Sequence, residues 1–283
     1  MGLPRQRHAA VTRRGTPDDG RAGGAGDATT ATANAWRPCV VVPVYDHEGA
    51  LGALVEALRP QGITCWLVDD GSGPRGAARI DDLVAREAGW LRCVRLPHNQ
   101  GKGAAVVAGL RAALAAGFTH AVQIDADLQH DPRDLPRFLD ASRAEPDAVV
   151  NGVPRYDGSV PAVRFYGRYL THVLVWIETL SFDIRDSMCG FRVYPIARAV
   201  ALDDRGPVGR RMQFDTDVIV RLHWDGAKIV NLPTPVTYPV DGVSHFDLLR
   251  DNARMTGLHL RLLAGMVWRL PRLVARRIAG VAP

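Results

Sequence analysis

The feature that most restricts this chain is a regular alternation of short apolar runs with helical stretches. "CVVVPVY" (39–45), "TCWLVDD" (64–70), "LRCVRLP" (91–97), "HAVQID" (120–125) and "DAVVNG" (147–152) read as strands. The first is apolar without a break, as in a strand buried on both faces. Between them, 49–60, 77–89, 101–117 and 132–144 carry helical spacing. Pro60, Gly89 and Gly117 mark stops, and Pro132 marks a start. Strand and helix in turn, joined by short connections, predict βαβ units in an α/β fold with a doubly wound, mostly parallel sheet. Such sheets take ligands at the carboxyl ends of their strands.

Acids collect at those ends. Asp46 follows the first strand, Asp69 and Asp70 end the second, and Asp125 and Asp127 follow the fourth. The densest stretch is "HAVQIDADLQHDP" (120–132). Carboxylates crowded together repel, and each loses hydration as a site closes. Either something positive sits among them or they point apart. Asp131, just before Pro132, reads as a helix start. Asp125 at the end of an apolar strand has no such explanation. Asp127 and Gln129, brought onto one centre by the turn, offer hard oxygen ligands of the kind that suit Mg2+ or Mn2+. A metal held so neutralises a diphosphate leaving group.

The formal net charge of +5 sits at the ends. Residues 250–283 carry +6 and residues 1–35 carry +2, which leaves the body at −3. A slightly acidic body speaks against nucleic acid as a partner. Residues 1–35, rich in Gly, Ala, Thr, Arg and Asp, are expected to form a disordered tail, with order starting at Trp36. The four cysteines form no CxxC pair, which argues against zinc and suits a reducing cytoplasm. No apolar run is long enough to span a membrane, and no signal-peptide core stands near the start.

Five motifs then occur in order: "VVPVYD" (41–46), "LVDDGS" (67–72), "NQGKGAAVVAG" (99–109), "DADLQHDP" (125–132) and "CGFRVYP" (189–195). Together they resemble family 2 glycosyltransferases of GT-A fold, in the branch similar to dolichyl-phosphate mannose synthase. The likeness covers about residues 38–250 and implies an inverting, metal-dependent transfer of a hexosyl or N-acetylhexosaminyl group. The donor would be a nucleotide-diphosphate sugar, with Mg2+ or Mn2+ as cofactor. The acceptor would be a membrane-associated lipid, either a polyprenyl phosphate or a lipid hydroxyl.

The resemblance also implies roles. Pro43 and Tyr45 would lie against base and ribose, with Asp46 standing where the family usually has Asn. Asp70 or its neighbour Asp69 would accept a hydrogen bond from the base. Gly101, Lys102 and Gly103 would form the turn beside the nucleotide. Asp125 would contact the ribose or the metal, and Asp127 and Gln129 the metal. Arg155 would face the acceptor or a phosphate, and Arg192 either the acceptor side or a structural pairing with Asp186. In "FDTD", Asp217 is favoured over Asp215 as the carboxylate that deprotonates an acceptor hydroxyl, and a phosphate acceptor would need no base. His245 would reach the metal or the diphosphate. "NQGKGA" is not a P-loop, because Gly103 stands where Ser or Thr is required. Two other readings remain at this point: a sugar-phosphate nucleotidyltransferase and a non-catalytic nucleotide-sugar-binding protein.

The second half is less regular. Residues 162–181 read as an apolar helix, 187–195 as a bent loop leading into a strand, 215–226 as helical and 227–239 as a proline-bearing edge strand. From 247 to 283 the pattern is basic and amphipathic. Arg250, Arg254, Arg261 and Arg272 lie within about 40° of one another, opposite Met255, Leu262, Leu263, Met266, Val267 and Leu270. Pro271 is read as the start of a second helical piece. This pattern predicts an interfacial segment that holds the protein peripherally on the cytoplasmic face of a membrane.

Overall fold

The computed structural model describes residues 36–156, 162–237 and 248–278. The expected tail over 1–35 and the candidate His245 lie outside the described residues. Strands β1 (Pro38–Val44), β2 (Cys65–Asp69), β3 (Leu91–Arg95), β4 (His120–Gln123), β5 (Val149–Tyr156), β6 (Arg192–Pro195) and β7 (Ile229–Val236) form one sheet. Its order is β3-β2-β1-β4-β6-β5-β7. β1, β2, β3 and β4 pair in parallel, as do β5 and β7, whereas β6 runs antiparallel between β4 and β5.

Helices cover both faces. On one side lie α1 (Glu48–Leu58), α2 (Pro74–Arg86) and α4 (Leu135–Ala144); on the other lie α3 (Lys102–Ala115), α6 (Ile196–Arg205) and α7 (Phe214–Trp224). β1 shows why its sequence is apolar throughout. Cys39 and Val41 enter one core, and Val40, Val42 and Val44 enter the other.

Two elements depart from expectation. β6 was expected only as a strand after a loop, yet it sits inside the sheet and sets Arg192 level with Gln123 on one side and Asn151 on the other. The helix α6 behind Pro195 was not anticipated. β7 takes the sheet edge expected from its prolines.

The long helices α5 (Ala162–Thr179) and α8 (Leu248–Ile278) pack on each other, and α8 also meets α7. α8 continues through Pro271 without a break, so it is one helix rather than two pieces. It buries Leu258, Leu262 and Leu273. Polar ties hold it: His259 Nδ1 lies 2.7 Å from Glu178 Oε1, and Arg261 donates to Asp217 Oδ2 at 2.9 Å. The expected apolar face therefore divides: Leu262 turns inward, whereas Val267 and Leu270 are exposed. No described helix is long and apolar enough to cross a membrane.

Candidate active site

The acids gather where β4, α3 and α7 meet. β4 ends at Gln123, and the chain turns through Asp125 and Asp127 with Leu128 in the left-handed region at φ 59°. That turn lets Gln129 N donate to Asp127 Oδ1 at 3.1 Å. Asp131 accepts from Arg133 N at 2.9 Å and so caps the short 3-10 turn Pro132–Asp134, as its sequence position indicated.

The positive group among the acids is Lys102. Its Nζ donates to Asp125 Oδ2 at 2.8 Å and to Asp215 Oδ2 at 2.7 Å. Burial alone would lower the Lys102 pKa, but the two carboxylates outweigh it and hold the ammonium charged. Burial likewise opposes the Asp125 charge, and Lys102 more than compensates, so that carboxyl sits below its usual range. Asp127 is shifted upward, first by burial and then by repulsion from Asp125. Asp125 Oδ1 is buried and has no hydrogen-bond partner.

This donor set fits a hard divalent cation. It offers a lone carboxylate oxygen on Asp125 and a second carboxylate, Asp127, whose ionisation burial and the Asp125 charge resist and a cation would favour. No three of His, Cys, Asp and Glu converge on one metal-binding point among the described residues.

Gly101 lets the turn close. Its φ is 102°, and a Cβ there would come within 2.5 Å of Arg210 O. Gln100 N and Gly101 N donate to the two oxygens of Asp70 at 2.7 and 2.8 Å. Asp70 thus ties the end of β2 to the start of α3. Asp69 accepts from Ser72 N and from Arg95 Nε, which settles it into the scaffold. Asp46, at φ 48°, accepts from Gly73 N at 2.9 Å and bridges the loops after β1 and β2. Pro43 lies near the end of β1 with Tyr45 just beyond it, and Arg155 is exposed on β5 opposite Pro235.

Two candidates need correction. Arg192 does not face an acceptor. It is 0 % exposed, and its guanidinium donates to Asn151 Oδ1, Tyr194 OH and the carbonyls of Ser187 and Asp215. Asp217 was favoured over Asp215, but its carboxylate is turned away from the cluster. It is fully buried and accepts from Gly209 N at 2.7 Å and from Arg261. Asp215 is the member that joins the site.

The sequence reading missed two supports, Gln123 and Gly190. Gln123 donates to Asp215 Oδ1 at 2.9 Å and accepts from Tyr194 OH at 3.1 Å. A Gln inside "AVQI" was the available signal, since a polar residue in a buried strand needs a partner. Gly190 brings the 186–191 backbone against the cluster, where a Cβ would meet the Asp125 carboxylate and approach Lys102 Nζ to 2.8 Å.

The sequence model of glycosyl transferase family 2 matches residues 39–197, more than half of the chain. The protein belongs to glycosyl transferase family 2. The match spans β1 to β6, so the cluster around Lys102 and Asp125 falls within it. A polyprenol monophosphomannose synthase of Mycolicibacterium smegmatis is 26% identical over 235 residues, 78% of this chain and 85% of that one. An undecaprenyl-phosphate mannosyltransferase of Micrococcus luteus is 26% identical over 208 residues, 70% and 82% of the two chains. Among solved structures, glucosyl-3-phosphoglycerate synthase of Mycobacterium tuberculosis, in complex with Mn2+ and uridine diphosphate, superposes with a TM-score of 0.60 at 17% identity. That superposition covers 82% of this chain and 80% of the other. The fold is thus of GT-A type and the chain is a family 2 glycosyltransferase. The nucleotidyltransferase and non-catalytic readings are set aside.

Proposed function

We propose that this family 2 enzyme moves a sugar from a nucleoside-diphosphate donor to a polyprenyl phosphate at a membrane surface. The observation that carries the reading is the orphaned Asp125 Oδ1 beside Asp127, at the carboxyl end of β4 and bordered by the Lys102 ammonium. Asp125 and Asp127, with Gln129 nearby, would hold Mg2+ or Mn2+. Bound there, such a cation supplies charge neutralisation for the leaving diphosphate. The names of the relatives support the phosphate acceptor, and so does the state of the two "FDTD" acids. Asp217 is engaged in the interior, and Asp215 is taken up by Lys102 and Gln123. Asp217 keeps an unpartnered oxygen and a pKa that burial raises, but it is buried away from the cluster. An ionised phosphate oxygen needs no base.

In the reaction, an acceptor phosphate oxygen bonds to the anomeric carbon as the bond to the diphosphate oxygen breaks. The diphosphate departs with the bonding pair. A single in-line displacement inverts the configuration. Lys102 and Asp215 keep Asp125 oriented and charged, and Gly190 keeps the approach open. The basic helix α8 supports peripheral attachment to the membrane that carries the lipid.

The test is a panel of nucleotide sugars offered with a polyprenyl phosphate or a lipid hydroxyl as acceptor, read by diphosphate release and product mass. Transfer to the phosphate that Asp127→Ala abolishes is the expected result. Transfer confined to the hydroxyl acceptor refutes the acceptor assignment, and full turnover by Asp127→Ala refutes the metal ligands.

A further inference from the structure

The helix α8 carries two apolar faces, and only one of them is used by the fold. Leu258, Leu262 and Leu273 turn inward. Leu260, Val267, Val274 and Ile278 turn outward, and 65%, 64% and 82% of Leu260, Val267 and Ile278 is open to solvent. Their spacing of seven, seven and four residues draws one line along the helix. Trp268, 86% exposed, and Leu270 widen it on either side. The neighbouring helix α5 adds exposed Tyr169, Leu170 and Ile177. Monomeric proteins seldom leave a continuous apolar strip of this length in water.

The charge beside the strip decides what covers it. Arg250, Arg261 and Arg272 are exposed and lie about 100° round the helix from Leu260. The segment 250–283 carries +6 while the body is acidic. A second copy of the chain would set this basic flank against itself. An anionic bilayer would meet apolar residues with acyl chains and arginines with headgroups.

We propose that the outward face of α8, centred on Val267, Trp268 and Val274, docks flat on an anionic lipid bilayer. This deepens the reading of the enzyme as a transferase to a membrane lipid and rests on it. The strip begins at Leu260, next to Arg261, whose guanidinium binds Asp217 on α7. Asp215, which holds Lys102, lies two residues away on the same helix. A docked α8, tied to α7 through Arg261, therefore holds the enzyme on the membrane that carries the polyprenyl phosphate.

Deleting α8 would uncover Leu258 and Leu262, so the test uses outward residues. The full chain is floated with phosphatidylcholine vesicles, with or without phosphatidylglycerol, alongside a Val267→Glu/Val274→Glu variant. The wild type is expected to float with anionic vesicles and to release as salt rises. The variant is expected to bind at least about tenfold more weakly with an unchanged melting temperature. Transfer to a short-chain, water-soluble polyprenyl phosphate is measured in parallel and is expected to survive in the variant. Equal flotation of the two proteins overturns the proposal. So does concentration-dependent dimerisation that the variant abolishes, because the strip is then a contact between copies. Absence of transfer by the wild type with any donor refutes the transferase reading and leaves the flotation result standing.

Discussion

Replacing Asp215 by Asn separates a residue that works through Lys102 from one that removes a proton. Lys102 Nζ divides its charge between Asp125 Oδ2 at 2.8 Å and Asp215 Oδ2 at 2.7 Å, and the side chains of Lys102 and Asp215 are 13% and 6% exposed. Two unit charges about 4 Å apart attract by about 4 kcal/mol at an effective dielectric of about 20. Without the Asp215 charge, Lys102 settles on Asp125 alone. If a quarter to a half of that attraction passes to Asp125, its hold on a divalent cation weakens by about 1–2 kcal/mol, or about 5–30-fold. Mn2+ binding followed by electron paramagnetic resonance, and transfer rate measured against metal concentration, read this directly. The metal needed for half-maximal rate is expected to rise by that factor, and saturating metal is expected to restore most of the turnover. A fall in kcat of about a thousandfold or more at saturating metal, with metal affinity unchanged, would refute the reasoning and make Asp215 the base.

Three further outcomes follow from the same geometry. Asp217→Asn loses the charged bonds to Arg261 and Gly209 N, at a cost of about 1–2 kcal/mol. The melting temperature should fall by about 2–8 °C while kcat stays within a few-fold; a collapse of kcat without loss of stability would restore Asp217 to the chemistry. Gly190→Ala drives a methyl into Asp125 and Lys102. Transfer should fall about a hundredfold with little change in melting temperature, and near-normal rates would show that the 186–191 backbone does not border the site. His130 is held by burial to about 4. The unfolded chain takes up that proton near pH 6.5, so the stability His130 contributes is full above that pH. It is lost as pH falls towards 4, by roughly 3 kcal/mol. Urea denaturation of His130→Gln should show a shallower decline than wild type between pH 7 and 4.5, and parallel curves would refute the shift.

The sheet was legible because its strands are buried on both faces and must be apolar without interruption. β1 feeds Val41 to one core and Val42 to the other, and no alternating strand does that. β6 was harder. It is only Arg192–Pro195, and its antiparallel place between β4 and β5 is set by those neighbours rather than by its own residues. α6 left a signal that was not used: Pro195 followed by Ile196, Ala199 and Val200, all buried at helical spacing. The choice between Asp215 and Asp217 was not available from sequence. Residues two apart on a helix point about 200° from each other, so one of them faces a given neighbour and the other cannot. Which one does so depends on where Lys102 and Arg261 lie. Arg192 misled for a related reason. The resemblance carried it over from the "GFR" motif to the acceptor side, and a motif does not say which way its side chain turns. Here Asn151, Tyr194 and two carbonyls satisfy it inside the sheet.

The crowding of acids after β4 also had a partial answer in the sequence, namely that a cation must sit among them. Lys102 is that cation in part. Asp125, Asp127 and Asp215 bring three carboxylates against one ammonium. The buried Arg192 guanidinium also faces Asp215, so with Lys102 two cations meet the three carboxylates and, fully ionised, the cluster keeps one negative charge in excess. Asp127 carries the surplus, and burial and Asp125 together push its pKa up. A second lysine would answer one charge and fix a side chain in the space a donor must enter. A divalent ion held by Asp125 and Asp127 would answer it and would add positive charge for the diphosphate of a donor. The raised pKa of Asp127 thus marks the place where a cation would be held, and its charge would serve the leaving diphosphate rather than the fold.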